Sequence, residues 1–383
     1  MNGGGDRTLR VALMTHTLDN RRGMGTATVA RKTAEYLLHD GRFDVTLVHY
    51  DQTDDPLYRG AREIMMPQLF KLPFGTRFAR FLLFCWRYRK EQFDIVHWFQ
   101  PRLYPFFWLF PARRTVVTAH GGGDALAPHS FSLARTLYVW IMRLFHRKIS
   151  AVVASSEFGK AEIHEAYGVS MVRIPVVYLG GADGFRPLPH EEARTVAERY
   201  GARVPYILTV SRLVPHKNVE GLIKAYTYAR NQGIAQSLVI VGGRGGWQDV
   251  VYAAAEASPH RRDIIFLDYV AEGDLNALYA AADLFVFPSF NEGWGMPVIE
   301  AFASGTPVVA SNATAIPEAA GDAAVLVDPH ATEAIGRAMC RVLQEEPLRR
   351  EMTAKGLARS KEFTWPRMGD GIAALYKKIT LEQ

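Results

Sequence analysis

The chain has 383 residues, of which 48% are hydrophobic and 22% charged, and this length and composition predict about two globular domains. The two cysteines, Cys85 and Cys340, lie far apart and match neither a metal-binding nor a redox spacing, so we expect both to be reduced. The N-terminal residues are polar and lack a signal-peptide pattern, which argues against secretion and favours a cytoplasmic location.

The net charge of +6 is unevenly distributed along the chain. Residues 1–180 contain 24 Lys and Arg against 15 Asp and Glu, whereas residues 181–383 contain 21 against 24. A basic first half favours an anionic partner, either a membrane surface or a phosphorylated acceptor. Nucleic acid is the weaker alternative, because no nucleic-acid-binding motif accompanies the charge.

Short apolar runs alternate with helical patterns through the first half and predict a parallel, doubly wound sheet. The strand runs are 9–14, 45–49, 94–97, 115–118 and 151–154. Gly23 and Gly25 lie between the first run and a predicted helix at 28–38. They could admit a phosphate or a sugar close to the backbone, or they could form only a turn. The full Gly-x-Gly-x-x-Gly pattern is absent, which argues against a nicotinamide enzyme.

His120 directly follows the fourth of these runs and precedes three glycines. In doubly wound sheets, ligands bind at the carboxyl ends of the strands. We therefore expect His120 and the glycine backbone to line a cleft, the alternative being a flexible loop with a solvated histidine.

Residues 71–114 are rich in aromatic side chains and arginine. The pattern fits an amphipathic helix lying on an anionic bilayer, with aromatic residues inserted and arginines at the head groups. A core helix with snorkelling arginines explains the same pattern. The apolar runs are too short to span a membrane. The inserted residues would be Phe78, Phe81 and Trp86, and the head-group residues Arg77, Arg80, Arg87 and Arg89.

The second half opens with a glycine- and proline-rich linker at 180–189, followed by a predicted strand at 206–210 and a helix at 219–230. Arg212 and Lys217 lie on the loop between that strand and that helix. Two cations beside a helix N-terminus would offset the charge of a diphosphate. The alternative is two solvated basic residues.

Glu292 and Glu300 bracket a second strand-to-helix turn, which follows an apolar run at 283–288. Glycines at 293 and 295 allow a ligand to approach the backbone, and Pro297 suits the first turn of a helix. The two carboxylates can therefore address two parts of one elongated ligand. A capping acid plus a solvated acid is the alternative, and it does not explain the intervening glycines and proline.

Taken together, these motifs resemble the retaining nucleotide-sugar glycosyltransferases of glycosyltransferase family 4. The resemblance rests on the glycine turn at 23–25, His120-Gly121, the linker at 180–187, Ser211-Arg212 with Lys217-Asn218, the block from 287 to 300, and the segments 305–309, 317–318 and 321–324. It implies an α/β GT-B fold of two facing Rossmann-like, doubly wound domains. These would be an acceptor-binding domain at 1–180, a nucleotide-sugar-binding domain at 181–365, and a C-terminal helix at 366–383 packing back on the first domain.

The resemblance also implies residue roles. Arg212 and Lys217 would hold the donor diphosphate, and Glu300 would bind the ribose hydroxyls. As catalytic residues, Glu292 would contact the transferred sugar and His120 would lie near its C6 side and the reacting centre. The remaining substrate-binding residues would be Gly23, Gly25 and the backbone of Trp294, Gly295 and Met296. Two departures from the family pattern are Arg22, in place of a first glycine, and Tyr178-Leu179-Gly180, in place of Pro-Asn-Gly.

The implied activity is retaining transfer of a hexose to a glycan or lipid-linked acceptor, in cell-surface polysaccharide, lipopolysaccharide or glycolipid synthesis. The similarity of residues 290–329 to bacterial mannosyltransferases favours GDP-mannose as donor. No metal and no cofactor are expected, and the chain has no Asp-x-Asp motif. The enzyme would work in the cytoplasm, peripherally on the inner face of the membrane. Alternatives are a UDP-glucose or UDP-N-acetylglucosamine transferase acting on a small molecule, and a non-catalytic sugar-nucleotide-binding protein.

Overall fold

The computed structural model describes residues 7–18, 25–51, 55–67, 76–122, 133–243, 245–268 and 270–382. The chain divides into two compact units. The N-terminal unit comprises residues 1–178 together with 365–383, and the C-terminal unit comprises residues 179–364.

The N-terminal unit is built on a six-stranded parallel sheet with the order β3-β2-β1-β4-β5-β6. Residues Val11 to Met14 of its central strand are fully buried, as expected for a parallel strand covered on both faces. The strands are β1 (Leu9–Met14), β2 (Phe43–His49), β3 (Arg62–Met65), β4 (Phe93–Trp98), β5 (Ala112–Thr118) and β6 (Ala151–Val153). The helices preceding the linker are α1 (Gly25–Leu38), α2 (Thr76–Arg87), α3 (Leu133–Phe145) and α4 (Glu157–Tyr167).

The C-terminal unit repeats this topology. Its six parallel strands have the order β12-β11-β10-β7-β8-β9, so the prediction of two doubly wound sheets is confirmed. The strands are β7 (Tyr206–Val210), β8 (Ser237–Val241), β9 (Ile264–Leu267), β10 (Leu284–Phe287), β11 (Val308–Ser311) and β12 (Ala324–Val327). The helices are α5 (His190–Arg199), α6 (Val219–Asn231), α7 (Gln248–Glu256), α8 (Glu272–Ala280), α9 (Met296–Ala303), α10 (Ile316–Ala320), α11 (Thr332–Gln344) and α12 (Glu346–Ser360).

The C-terminal helix α13 (Trp365–Leu381) belongs to the N-terminal unit and packs on α1. His97, fully buried on β4, links this helix to the sheet. Its Nδ1 lies 2.7 Å from Tyr376 Oη of α13, and its Nε2 lies 2.7 Å from Thr118 Oγ1 of β5. Burial lowers the pKa of His97 to about 3, so the imidazole is neutral in the folded protein.

Helix α2 is a core helix, and the expectation that it lies on a bilayer is wrong for its central residues. Phe81 is fully buried in the core of the N-terminal unit. Arg80 is also buried, and its guanidinium donates to the carbonyls of Tyr50, Met66 and Pro67 at the ends of β2 and β3. A buried guanidinium that satisfies strand-end carbonyls cannot contact head groups. The exposed residues of α2 and the turn that follows it are Arg77 near the start of the helix and Trp86, Arg87, Arg89 and Lys90 at its end.

Candidate active site

The predicted donor-binding loops follow adjacent strands. In the C-terminal sheet β7 pairs with β10, and β8 lies on the other side of β7, so the strand order reverses between β7 and β10. In open parallel sheets the ligand crevice forms at this reversal, beyond the carboxyl ends of the strands. The loop after β7 carries Arg212 and Lys217, and the loop after β10 carries Glu292. The topology therefore brings the predicted cations and the first carboxylate to one crevice.

Lys217 and Glu292 form an ion pair across this crevice. Lys217 Nζ lies 2.5 Å from Glu292 Oε1, and both side chains are largely buried. The ammonium group also lies 5.3 Å from the centre of the Phe287 ring, at the end of β10. A close, poorly solvated ion pair strongly orients both groups, and an anionic ligand would have to compete with Glu292 for the lysine.

The loop after β11 holds Glu292 in place. The backbone N–H of Glu292 donates to Thr314 Oγ1 at 3.0 Å, and the carbonyl of Glu292 accepts from the N–H of Ala315 at 3.4 Å. Thr314 has a φ of 56°, which is uncommon for a residue with a branched Cβ. Such left-handed backbone persists only where the surrounding contacts require it. The Thr314 contact therefore fixes the backbone that carries the candidate catalytic carboxylate.

Arg212 lies on a loop whose path is set by the glycines after β8. A Cβ on Gly242 would lie 1.8 Å from the carbonyl oxygen of Ser211, and one on Gly245 would lie 2.5 Å from that of Leu213. Only glycine permits this close backbone contact, so the loop after β8 supports the loop that carries Arg212. The guanidinium of Arg212 itself is exposed.

The electrostatics at His216 show that both predicted cations act on one region. Desolvation lowers the pKa of His216, the charges of Lys217 and Arg212 lower it further, and Glu292 opposes them. With the imidazole neutral, the two cations outnumber the one carboxylate, Glu292, so the net charge of these groups is positive. That charge suits an anionic group such as a diphosphate.

Helix α9 begins at the predicted glycine turn. Its N-cap is Gly295, with a φ of 125°, a conformation that side-chain-bearing residues rarely adopt. Met296 and Pro297 form its first turn, and the dipole of the helix adds a further partial positive charge at this end. The side chain of Trp294 instead points into the unit's interior, where its ring packs at 73° to Phe363 with 4.8 Å between centroids. The backbone, rather than the indole, is thus the part of Trp294 available to a ligand.

Glu300, in the second turn of α9, is held by a buried tyrosine on α8. Tyr279 Oη donates to Glu300 Oε2 at 2.8 Å. Burial, and then the neighbouring Glu300 carboxylate, raise the pKa of Tyr279 well above its usual value, so the phenol remains a donor. Glu300 is half-buried. The carboxylate is thus oriented by α8 through this hydrogen bond.

His120 lies in the N-terminal unit, just beyond β5. Burial lowers its pKa to about 4, and its Nε2 is buried without a hydrogen-bond partner among the described residues. The loop that carries it is tightly packed on α4: the N–H of Gly122 donates to Glu162 Oε2 at 3.2 Å, and a Cβ on Gly122 would lie 2.5 Å from the Glu162 carbonyl oxygen. The neutral, fixed imidazole can donate or accept one hydrogen bond, and it is not a solvated loop histidine.

Of the two predicted N-terminal glycines, Gly25 is the first residue of α1, which begins three residues earlier than the periodicity predicted. Gly25 therefore lies at the N-terminal end of α1 as the described residues define it. Gly23 lies outside the described residues.

Within the described ranges no group of three or more His, Cys, Asp or Glu side chains is arranged to hold a metal ion. A cavity of about 310 Å³ lies beside the crevice, against Pro215, Phe290 and His330. Arg212, Lys217, Glu292 and Glu300 do not line it, so it is separate from the candidate site.

Three positioning residues escaped sequence reasoning: Tyr279, Thr314 and Glu162. Tyr279 and Glu162 sit inside helices without a motif around them. Thr314 lies in a short loop whose positive φ has no sequence signal, because the residue is not glycine or asparagine.

Comparison with known proteins identifies two family models. The model described as Glycosyltransferase Family 4 matches residues 24–180, and the model described as Glycosyl transferases group 1 matches residues 197–359. The two matches cover the N-terminal unit and the C-terminal unit in turn.

Among curated relatives, the O-antigen chain mannosyltransferase B of Escherichia coli is 34% identical over 268 residues, which cover 68% of this chain and 70% of the relative. The D-inositol 3-phosphate glycosyltransferase of Corynebacterium glutamicum (strain R) is 32% identical over 221 residues, covering 55% of this chain and 53% of the relative. Among solved structures, Anabaena HepE in complex with UDP and glucose has a TM-score of 0.77 at 17% identity, covering 97% of this chain and 100% of that one.

The two doubly wound units and the strand-end crevice of the C-terminal unit define a glycosyltransferase of the GT-B fold, as the sequence predicted. The chain belongs to glycosyltransferase family 4. Residues 197–359 of its C-terminal unit match the group 1 glycosyl transferases.

Proposed function

We propose that the protein is a retaining hexosyltransferase that moves mannose from GDP-mannose to a glycan or lipid-linked acceptor in cell-surface polysaccharide synthesis. The sugar and the process are supported by the 34% identity to the O-antigen chain mannosyltransferase of Escherichia coli. The reaction would take place in the cytoplasm, at the inner face of the membrane.

The observation that carries this proposal is the Lys217–Glu292 ion pair at the reversal between β7 and β10. It sets a cation and a carboxylate side by side, with the N-terminus of α9 following directly. A nucleotide sugar presents the matching pair of groups, a diphosphate and a ring of hydroxyls. Donor phosphate would draw Lys217 from Glu292 and leave the carboxylate free to bind sugar hydroxyls.

The proposed mechanism uses the positive field of the crevice. Breaking the bond between the anomeric carbon and the diphosphate increases the negative charge on the leaving phosphate. Lys217, Arg212 and the N-terminus of α9 would stabilise that charge without a metal ion. Glu300, oriented by Tyr279, would bind the ribose hydroxyls and so align the nucleotide.

Retention would follow from attack on the same face that the phosphate leaves, with the departing phosphate taking the proton of the acceptor hydroxyl. Glu292 would orient the sugar. In the alternative two-step route a glycosyl-enzyme intermediate forms first. His120, neutral above its depressed pKa, would contribute a hydrogen bond to the sugar rather than a positive charge.

A second candidate is a UDP-sugar-dependent transferase acting on a small-molecule acceptor. The 32% identity to a D-inositol 3-phosphate glycosyltransferase favours such an acceptor. The residues of the crevice suit either nucleotide, because they address the diphosphate, the ribose and the sugar rather than the base.

A donor panel tests these proposals. The purified protein is incubated with GDP-mannose, UDP-glucose and UDP-N-acetylglucosamine, with and without EDTA, and the released nucleoside diphosphate is measured by chromatography. Because no acceptor is present, water takes the mannosyl group. We expect GDP and free mannose from GDP-mannose, undiminished by EDTA, and retention predicts that NMR recorded before mutarotation shows the α-anomer first. Release from a UDP-sugar alone would favour the second candidate. Rescue of an EDTA-treated enzyme by magnesium or manganese would refute metal independence, and no release from any donor would favour a non-catalytic binding protein.

A further inference from the structure

Helix α3 of the N-terminal unit presents a stripe of large apolar side chains to solvent. Leu137, Trp140 and Leu144 are 51%, 56% and 62% exposed. Their spacing of three and four residues puts them on one face of the helix. Ile141 and Met142 are buried in the core, so the helix is anchored by its other side. Contiguous exposed apolar groups of this size mark an interaction surface.

A second element extends this stripe. Phe106 and Leu109, in the connection between β4 and β5, are also exposed. Trp108 joins the two elements, because its ring lies 5.5 Å from that of Phe106 and 4.5 Å from that of Phe145 at the end of α3. We call Phe106, Leu109, Leu137, Trp140 and Leu144 the α3 surface.

The chain around the α3 surface is strongly basic. Between Asp94 and Glu157 it contains seven Lys and Arg and a single acid, Asp124. Arg143 is exposed on α3, and Arg147 and Lys148 are exposed in the short 3₁₀ helix that follows it. Neither α3 nor this 3₁₀ helix contains an acidic residue, so the field beside the apolar stripe is positive.

We propose that the α3 surface docks on an anionic lipid bilayer, with Trp140 and its apolar neighbours in the interface and Arg147 and Lys148 at the head groups. Apolar and aromatic side chains flanked by cations are the composition of interfacial helices. A second copy of the chain is disfavoured as the occupant, because a two-fold interface would bring the like-charged clusters together. The proposal rests on the proposed function in one respect, the location at a membrane, for which it names the docking surface; it does not depend on the donor.

The geometry requires the helix to lie in the plane of the interface. α3 has 13 residues, about 20 Å of helix, against a hydrocarbon core of about 30 Å. Over the described part of the chain, no helix is both long and apolar enough to cross a membrane. The docking surface is therefore α3 and the β4–β5 connection, rather than the helix α2 that sequence patterning favoured.

Vesicle co-sedimentation of the full chain tests the proposal. Vesicles of phosphatidylcholine with phosphatidylglycerol are compared with pure phosphatidylcholine at low and physiological salt. We expect binding to the anionic vesicles, weaker at higher salt. Arg147→Ser with Lys148→Ser should lower the partition coefficient about 30-fold, since each cation near the surface contributes about 1 kcal/mol, which is about fivefold. Trp140→Ser with Leu144→Ser, made in the otherwise unchanged chain, should abolish most of the binding to anionic vesicles.

Matched controls separate this surface from general charge and hydrophobicity. Arg199→Ser with Arg203→Ser also removes two positive charges, but from exposed sites of the C-terminal unit. Val172→Ser removes an exposed apolar side chain outside the α3 surface. Both controls should bind vesicles as the wild type does. Release of nucleoside diphosphate from the donor should be equal in all these variants, so that loss of membrane binding and failure of the proposed activity are measured separately.

Three results would overturn the proposal. The wild type could fail to bind anionic vesicles at low salt. The Trp140→Ser, Leu144→Ser variant could bind as the wild type does. The wild type could form a dimer, by light scattering, that the same two substitutions dissociate, in which case the surface is an interface between copies of the chain.

Discussion

Replacing Tyr279 with phenylalanine removes one hydroxyl and leaves the ring that packs on Phe285 and Phe185. The lost interaction is the 2.8 Å hydrogen bond to Glu300 Oε2. A hydrogen bond to a charged group contributes about 1.5–3 kcal/mol. Because Glu300 is half-buried and water can replace part of that bond, we expect the lower end of this range. Nucleoside diphosphate binding should therefore weaken about tenfold, as a tenfold change corresponds to about 1.4 kcal/mol.

Isothermal titration of GDP into the wild type and Tyr279→Phe measures this difference directly. Tyr226→Phe is the matched control, because Tyr226 is also fully buried in the C-terminal unit and its hydroxyl donates to the carbonyl of Gln236, outside the crevice. The control should lose stability and keep its affinity for GDP. Equal dissociation constants for the wild type and Tyr279→Phe would refute the positioning of Glu300 by Tyr279.

Further substitutions and pH test the site and the fold. Glu300→Gln and Arg212→Ala should each weaken donor binding or turnover by about 2–4 kcal/mol at unchanged thermal stability, and unchanged kinetics would remove that residue from the site. Gly295→Ala should cost about 1–3 kcal/mol of stability, measured as a lower urea midpoint, because of its φ of 125°. Burial lowers the pKa of His97 to about 3 and that of His120 to about 4. Each imidazole then binds a proton more readily in the unfolded chain than in the folded protein. The free energy of unfolding is therefore highest above about pH 6.5. On acidification from there towards the folded pKa values it declines by about 1.4 kcal/mol per pH unit for each histidine. A urea midpoint that is equal or higher at pH 5.5 than at pH 7.5 would contradict this sign.

Two strands that pair on both sides could be predicted from the sequence to the residue. β1 and β7 occupy the predicted runs 9–14 and 206–210, because a strand buried on both faces is a continuous apolar segment bounded by polar loops. β3 was not predicted. It is an edge strand with one buried residue, Ile64, so its sequence carries no apolar run.

Helix α2 shows where composition misleads. An amphipathic helix with arginines on one face has the same pattern whether that face meets head groups or strand-end carbonyls. The choice depends on what the fold places opposite Arg80, here the carboxyl ends of β2 and β3. The α3 surface was missed for the complementary reason. Trp140 and Ile141 are both apolar, and only the packed structure shows which of them faces the core.

The candidate site was predictable where function demands unusual residues together: paired cations before a helix, and two acids around glycine and proline. The residues that hold those groups were not predictable. Tyr279 and Thr314 act through single hydrogen bonds from elements distant in sequence, and they meet Glu300 and Glu292 only because α8 and the loop after β11 flank the strand-order reversal. Long-range contacts of this kind leave no local pattern.

The central claim, that the crevice between β7 and β10 binds the diphosphate of a nucleotide sugar, is tested most directly by titrating GDP into the wild type and into Lys217→Met. The substitution keeps the length of the side chain and removes its charge. We expect the wild type to bind GDP, with an affinity that falls as salt is raised, and the variant to bind at least tenfold more weakly. Equal affinity in the two proteins, or no binding of GDP or UDP by the wild type, would contradict the assignment of the site.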